Sequence, residues 1–145
     1  MLKASICKVY RFFSRSNHEW FSGNYASFDQ ARAACTGYDA PAILEKVRTA
    51  LLKVKRGEAV YERDSVLFNE IQYSLPLLSF LLYAASASNN KLNILDFGGS
   101  LGSTYFQNRK FLNRLSDVKW SIVEQPNFYA CGKKDFEDET LRFFP

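Results

Sequence analysis

Cysteine, histidine and long apolar runs are all scarce in this 145-residue chain. The three cysteines, Cys7, Cys35 and Cys131, are an odd number with no C-x-x-C spacing, and His18 is the single histidine. A disulfide framework and a zinc site are therefore not expected, and no group of carboxylates has the spacing of metal ligands either. The longest apolar run, Leu75 to Ala87, has 13 residues, whereas a membrane span needs roughly 20; it reads as a buried helix. The first sixteen residues are cationic throughout and lack the unbroken apolar stretch of a secretory signal, so a cytoplasmic protein with reduced thiols is expected.

What is present is enough apolar material, 47% of the residues with 16% aromatic, for one compact core. That composition excludes a disordered chain, a collagen or a coiled coil. The net charge of +4 is too mild to demand a nucleic-acid partner, and it is unevenly placed. Lys3, Lys8, Arg11 and Arg15 precede the first acid, Glu19, so residues 1–18 carry the whole excess and the remainder is neutral. Leu2, Ile6, Val9 and Phe13 form one apolar stripe beside those cations. A helix over residues 1–16 is compatible with peripheral contact on an anionic membrane; packing on the body or fraying is the alternative.

Beyond the Trp20–Tyr25 turn, Ser27 and Gln30 form a capping-box pattern that opens a short helix ending before Gly37. Pro41 begins a second helix, with Ile43, Val47, Leu51 and Val54 on one face and Gly57 as its stop. Glu58 to Ser65 reads as a charged loop, Val66 to Ser74 as helix, and Pro76 starts the apolar helix. After the Ser86–Lys91 loop the character changes. Leu92–Phe97 predicts a buried parallel strand, Gly98–Gly102 a glycine-rich turn, Ser103–Leu115 a helix, Lys119–Glu124 a strand, Pro126–Lys134 a helix and Leu141–Phe144 a strand. The fold class is α/β, a Rossmann-like β-α-β-α-β half-domain preceded by a helical cap. Its divisions are a basic leader (1–18), the cap (19–91) and a cofactor-binding region (92–145). Such sheets normally continue beyond three strands, which suggests a truncated copy of a longer enzyme.

The turn Asp96-Phe97-Gly98-Gly99-Ser100-Leu101-Gly102 admits three readings. A dinucleotide fingerprint needs a glycine where Phe97 stands, and Asp96 would set negative charge near the phosphates. A G-x-S-x-G nucleophile elbow at Ser100 needs a histidine base after the serine, and none follows. In S-adenosylmethionine binding, an acid closes the first strand, small residues admit the ligand and a second acid closes the next strand. Asp96 suits the sulfonium and ammonium of that cofactor, the amides at the helix start suit its carboxylate, and Glu124 is placed to accept from the ribose hydroxyls. Gln125 is a second candidate on adjacency alone, and Phe128 a candidate adenine neighbour. Tight backbone packing is the alternative reason for such a turn. Tyr105, Phe106, Phe111 and Trp120 read as packing residues.

With these residues in view, the chain resembles an uncharacterised bacterial family of S-adenosylmethionine-dependent methyltransferases. The similarity runs through Trp20–Asp39, Gly57–Phe68 (GEAVYERDSVLF), Tyr73–Leu78, Leu95–Arg109 (LDFGGSLGSTYFQNR) and Val123–Gln125. It implies a class I methyltransferase fold, methyl transfer from S-adenosylmethionine, cofactor contacts at Asp96, Gly98, Gly99, Ser100, Gly102, Glu124 and Gln125, and a small-molecule or glycan-type acceptor. Ser100 stands where the general D-x-G-x-G-x-G motif has glycine. Tyr61, Glu62, Arg63 and Asp64 carry a phenol and three charges ahead of the apolar helix, and one of them is expected to orient or deprotonate an acceptor hydroxyl, with Tyr61, Arg63 and Asp64 the leading candidates. A helix cap by Asp64 or Ser65 with a local ion pair is the alternative. The rival functions are a non-catalytic remnant or interaction module with an exposed sheet edge, and an NAD-linked oxidoreductase.

Overall fold

A computed structural model of the chain describes residues 23–35 and 41–145. They belong to two units, residues 1–36 and 37–145, each of which is treated separately. The expected leader helix over residues 1–16, with Cys7 and His18, lies outside the described residues. In the first unit, helix α1 (Phe28–Ala33) is capped by Ser27, whose Oγ accepts the Gln30 N–H at 3.3 Å. Gln30 reaches back to the Ala26 N–H at 3.2 Å, the reciprocal pair that the Ser27–Gln30 spacing predicts, displaced by one residue.

The second unit opens with α2 (Pro41–Lys55), on which Val47, Leu51 and Val54 recur on one buried face. Gly57, at φ +77°, ends it: Gly57 N–H donates to Val54 O and Glu58 N–H to Lys53 O, the paired bonds of a Schellman motif. The next segment departs from expectation. Residues 58–65 are not simply a loop and residues 66–74 are not helix: β1 (Tyr61–Arg63) and β2 (Val66–Phe68) form an antiparallel hairpin pairing Tyr61 with Phe68 and Arg63 with Val66. The reason lies in the turn. Asp64 and Ser65 both take positive φ, 52° and 66°, as a two-residue hairpin turn whose twist matches its strands requires. The region ahead of the sheet is thus helix, hairpin and helix rather than wholly helical.

Helix α3 (Leu75–Ala87), with Pro76 in its first turn, leads to β3 (Lys91–Phe97), α4 (Ser103–Leu112), β4 (Asp117–Val123), α5 (Pro126–Asp135) and β5 (Leu141–Phe144). The three strands form one parallel sheet in the order β3–β4–β5, with Ile94 beside Trp120 and Trp120 beside Leu141. The second unit is α/β, and the expected β-α-β-α-β order is present. Helix α4 stops earlier than Leu115 because the Ser116 hydroxyl and N–H both donate to Asn90 O, pulling the chain into β4 two residues ahead of Lys119.

One face of the sheet carries the core. Leu92, Trp120, Ile122, Leu141 and Phe143 point into it, in one cluster with Leu51 of α2, Tyr105 and Phe106 of α4, Phe128 of α5 and Phe136 just after it. Trp120 packs edge-on against Tyr105, with ring centres 5.8 Å apart. Phe128, expected beside the adenine, packs in this core. Helices α2 and α5 are further joined by Arg48, whose Nε donates to Asp135 at 2.6 Å, and by Lys55, whose Nζ donates to the Asp135 carbonyl at 2.7 Å. On the opposite face Leu95 and Phe97 are 72% and 85% exposed. Among the described residues no helix is long and apolar enough to cross a membrane.

Close packing makes the α5–β5 contact testable. A Cβ on Gly132 would run into the Phe143 ring. Gly132→Ala is expected to destabilise the protein by about 1–3 kcal/mol through overpacking, read from the denaturant midpoint; an unchanged midpoint would mean that the ring moves aside freely.

Candidate functional site

The turn after β3 reverses the chain with three left-handed residues, Gly98 (φ +73°), Ser100 (φ +55°) and Gly102 (φ +100°). The glycines serve different ends. A Cβ at Gly98 would meet nothing within 4 Å, at Gly99 it would strike the Asp96 carboxylate, and at Gly102 it would press on Leu141 at 3.2 Å. Gly98 thus leaves open space, Gly99 admits the carboxylate beneath it, and Gly102 seats α4 on the sheet. Asp96, second from the end of β3, accepts the Trp120 indole N–H at 3.0 Å. Gly98 N–H donates to Val123 O at 2.9 Å, tying the turn to β4.

Glu124 follows the last residue of β4 and turns toward the same loop. Its Oε1 accepts the Ser100 N–H at 3.0 Å and its Oε2 accepts the Gln125 N–H at 2.8 Å. Strand β4 therefore supports the glycine turn through a side chain as well as through backbone.

A cleft of about 650 Å³ opens beside the turn. One wall is Asp96, Gly98, Gly99 and Ser100; the facing wall is the hairpin, with Tyr61, Glu62, Arg63 and Asp64; Ser103, Thr104 and Gln107 of α4 close it. The structure thus brings the loop candidates and Tyr61, Arg63 and Asp64 to one cavity. It does not bring Gly102, Glu124 or Gln125 to its lining: Gly102 is buried under the loop, Glu124 holds the loop amide, and Gln125 caps α5 from an exposed position. Arg63 and Asp64 are both exposed, and the Arg63 guanidinium lies over the Phe68 ring at 5.5 Å.

What the sequence does not reveal is the burial of Glu62 within its charged tetrad, and the polar face of α4. Glu62 is 2% exposed, accepts the Ser103 hydroxyl on Oε1, and accepts the Ser65 N–H on Oε2 at 3.1 Å. Gln107 donates to the Tyr61 hydroxyl at 3.3 Å and to the Gln72 carbonyl, binding hairpin and following strand-like segment to α4. Ser103 and Gln107 lie four residues apart on one helix face, a signal that the sequence carries but that only the position of the hairpin makes meaningful. Among the described residues no three metal-ligating side chains cluster.

Burial pushes the Glu62 carboxyl above the usual carboxylate range, the Ser103 and Ser65 hydrogen bonds pull it back in part, and the negative Asp64 adds to the rise. Burial likewise pushes the Tyr61 phenol up.

Comparison of the chain with models of known families, with curated proteins and with solved structures returns no match.

A Glu62 proton held more tightly in the folded state than in the unfolded chain has a definite sign. Its stabilising contribution is complete below the unfolded carboxylate value, roughly 4.3, and is lost as pH rises through the higher folded value. Relative to Glu62→Gln, the wild type is therefore expected to lose thermal stability as pH rises from about 4.3 through the raised folded value. Melting temperatures of the two proteins across that range check it, and a constant difference would contradict it.

Proposed function

We propose that the protein binds S-adenosylmethionine at the glycine turn and transfers its methyl group to a small-molecule or glycan-type acceptor in the adjoining cleft, as a class I methyltransferase would. One observation carries the reading: a left-handed glycine turn joins a parallel strand to a helix, with Asp96 at the first strand's end and the Glu124 carboxylate, from the next strand, against the turn. The residues fit such a cofactor. Gly98 leaves space where a side chain would stand, and the cleft lies within the usual size of small-molecule sites. Each Glu124 oxygen uses one of its two acceptor directions on a backbone N–H, which leaves capacity for a ribose diol without releasing the loop.

The cofactor, when bound, supplies an electrophilic methyl on a sulfonium. The chain's part is to hold that methyl against the acceptor and to exclude water, so positioning outweighs any dedicated acid or base. Tyr61, Arg63 and Asp64 face the cleft from the hairpin and are the groups available to orient an acceptor. An NAD-linked reading is disfavoured by Phe97 at the first fingerprint position and by Asp96 beneath the loop.

The reading is tested by calorimetric titration with S-adenosylhomocysteine. Saturable binding is expected, and Glu124→Ala should weaken it at least about tenfold, since both a charge-assisted ribose contact and the support of Ser100 are lost. Absence of binding to folded wild-type protein would overturn it.

A second reading, an interaction module, is favoured by a different observation. A parallel sheet is normally covered on both faces, yet Leu95 and Phe97 of β3 and Phe144 of β5 stand exposed on one of them. If that face binds another chain, light scattering should show an associated species that Leu95→Ser with Phe97→Ser reduces to monomer; a monomeric wild type would exclude self-association.

A further inference from the structure

Resting on the cofactor reading above, we infer that Glu62 is the receptor for the ammonium group at the amino-acid end of the ligand, so that the hairpin is part of the cofactor site and not only a wall on the acceptor side. The observation is a buried carboxyl group with no cation partner among the described residues. Glu62 lines the cleft at 2% exposure, yet among the described residues no cation lies within ion-pair distance of it, and its hydrogen-bond donors, the Ser103 hydroxyl and the Ser65 N–H, are both neutral. Burying an ionised carboxylate without a cation is costly, and the cleft that Glu62 lines gives a ligand's cation access to it. Each oxygen keeps an acceptor direction free of its single donor.

Position sets which end of the ligand this is. Glu124 meets the loop at Ser100 from β4, whereas Glu62 meets α4 at Ser103 from the hairpin, so the two carboxylates flank the loop from different elements. A ligand whose ribose lies at Glu124 and whose body crosses Gly98 and Gly99 directs its amino-acid end toward Ser103 and Glu62. That end is zwitterionic. The first amides of α4 favour its carboxylate, and Glu62 beside them favours its ammonium. Arg63, the one cation among the described residues that line the cleft, is exposed over Phe68 and forms no ion pair with Glu62.

The experiment compares S-adenosylhomocysteine with 5′-methylthioadenosine, which keeps the adenosine and thioether but lacks the amino-acid end, against wild type, Glu62→Gln and Ser103→Ala. Glu62→Gln is expected to lose at least about tenfold in affinity for S-adenosylhomocysteine and little for methylthioadenosine, the size of a charge-assisted hydrogen bond. Ser103→Ala, which removes a hydrogen bond but keeps the charge, should preserve the wild-type preference between the two. Equal loss for both ligands in Glu62→Gln would make Glu62 a structural latch and overturn the inference with the cofactor reading intact. Tighter binding of S-adenosylhomocysteine by Glu62→Gln would do the same, by showing that the ligand carboxylate is what Glu62 meets. Binding of neither ligand by folded wild type would overturn the cofactor reading and this inference together.

Discussion

The Asp96 carboxylate sits where sheet, core and glycine turn meet, and the geometry of the site depends on it. It holds the indole N–H of Trp120, the largest fully buried side chain of the core, and it fills the space that any side chain at residue 99 would need. The turn therefore lies down on a carboxylate that the core itself fixes. An acid at this position in a dry core would be a liability, but it is half-buried, satisfied on one oxygen by the indole and open to the cleft on its other side. Packing and electrostatics are thus joined in one residue.

Around that fixed point two further carboxylates hold the strand-to-helix turn from different elements. Glu124 takes the Ser100 amide and Glu62 takes the Ser103 hydroxyl, so each end of the turn is tied to a segment distant in sequence. Hydrogen bonds to charged acceptors are worth roughly 1.5–3 kcal/mol each, more than neutral ones, and they preorganise a loop that local backbone preference would not hold. Ser100 is the clearest case. A non-glycine residue at φ +55° is disfavoured by its own side chain, and the Glu124 bond to its N–H helps to offset that.

The parallel half of the fold was legible because its signals are strong and local: apolar runs at Leu92–Phe97 and Leu141–Phe144, a glycine cluster between strand and helix, and proline at the starts of α2, α3 and α5. The hairpin was not. Strands of three residues carry too little alternation to identify, and both Tyr61 and Glu62 are buried because α2 and α4 pack against β1, a tertiary fact that no period in the segment records. Its turn residues, Asp64 and Ser65, are the charged and polar types that equally suit a helix cap, so the same letters supported the wrong element. Asp96 and Glu124 were found as a pair from their places at strand ends, whereas the Glu124 bond to Ser100, which removes it from the cleft lining, depends on side-chain reach that spacing does not give.

Left-handed backbone at non-glycine residues falls, among the described residues, in three turns. Among the described residues, five without a glycine's freedom take positive φ: Asn89 and Asn90, of a type that tolerates it, in the turn before β3, Asp64 and Ser100 at the cleft, and Ser65 beside Asp64 in the hairpin turn. The same cleft holds Glu62, the buried carboxylate whose charge no described cation balances. Glu62 is also the group that accepts from Ser65, so the strained hairpin turn is supported by the charge that is itself costly to bury. A fold selected for stability alone would relax one of these features by placing glycine in the turn or glutamine at position 62. With Asp64 and Glu62 on one wall and Ser100 on the other, left-handed backbone and a buried carboxylate, both costly to stability, meet on the two sides of one cleft.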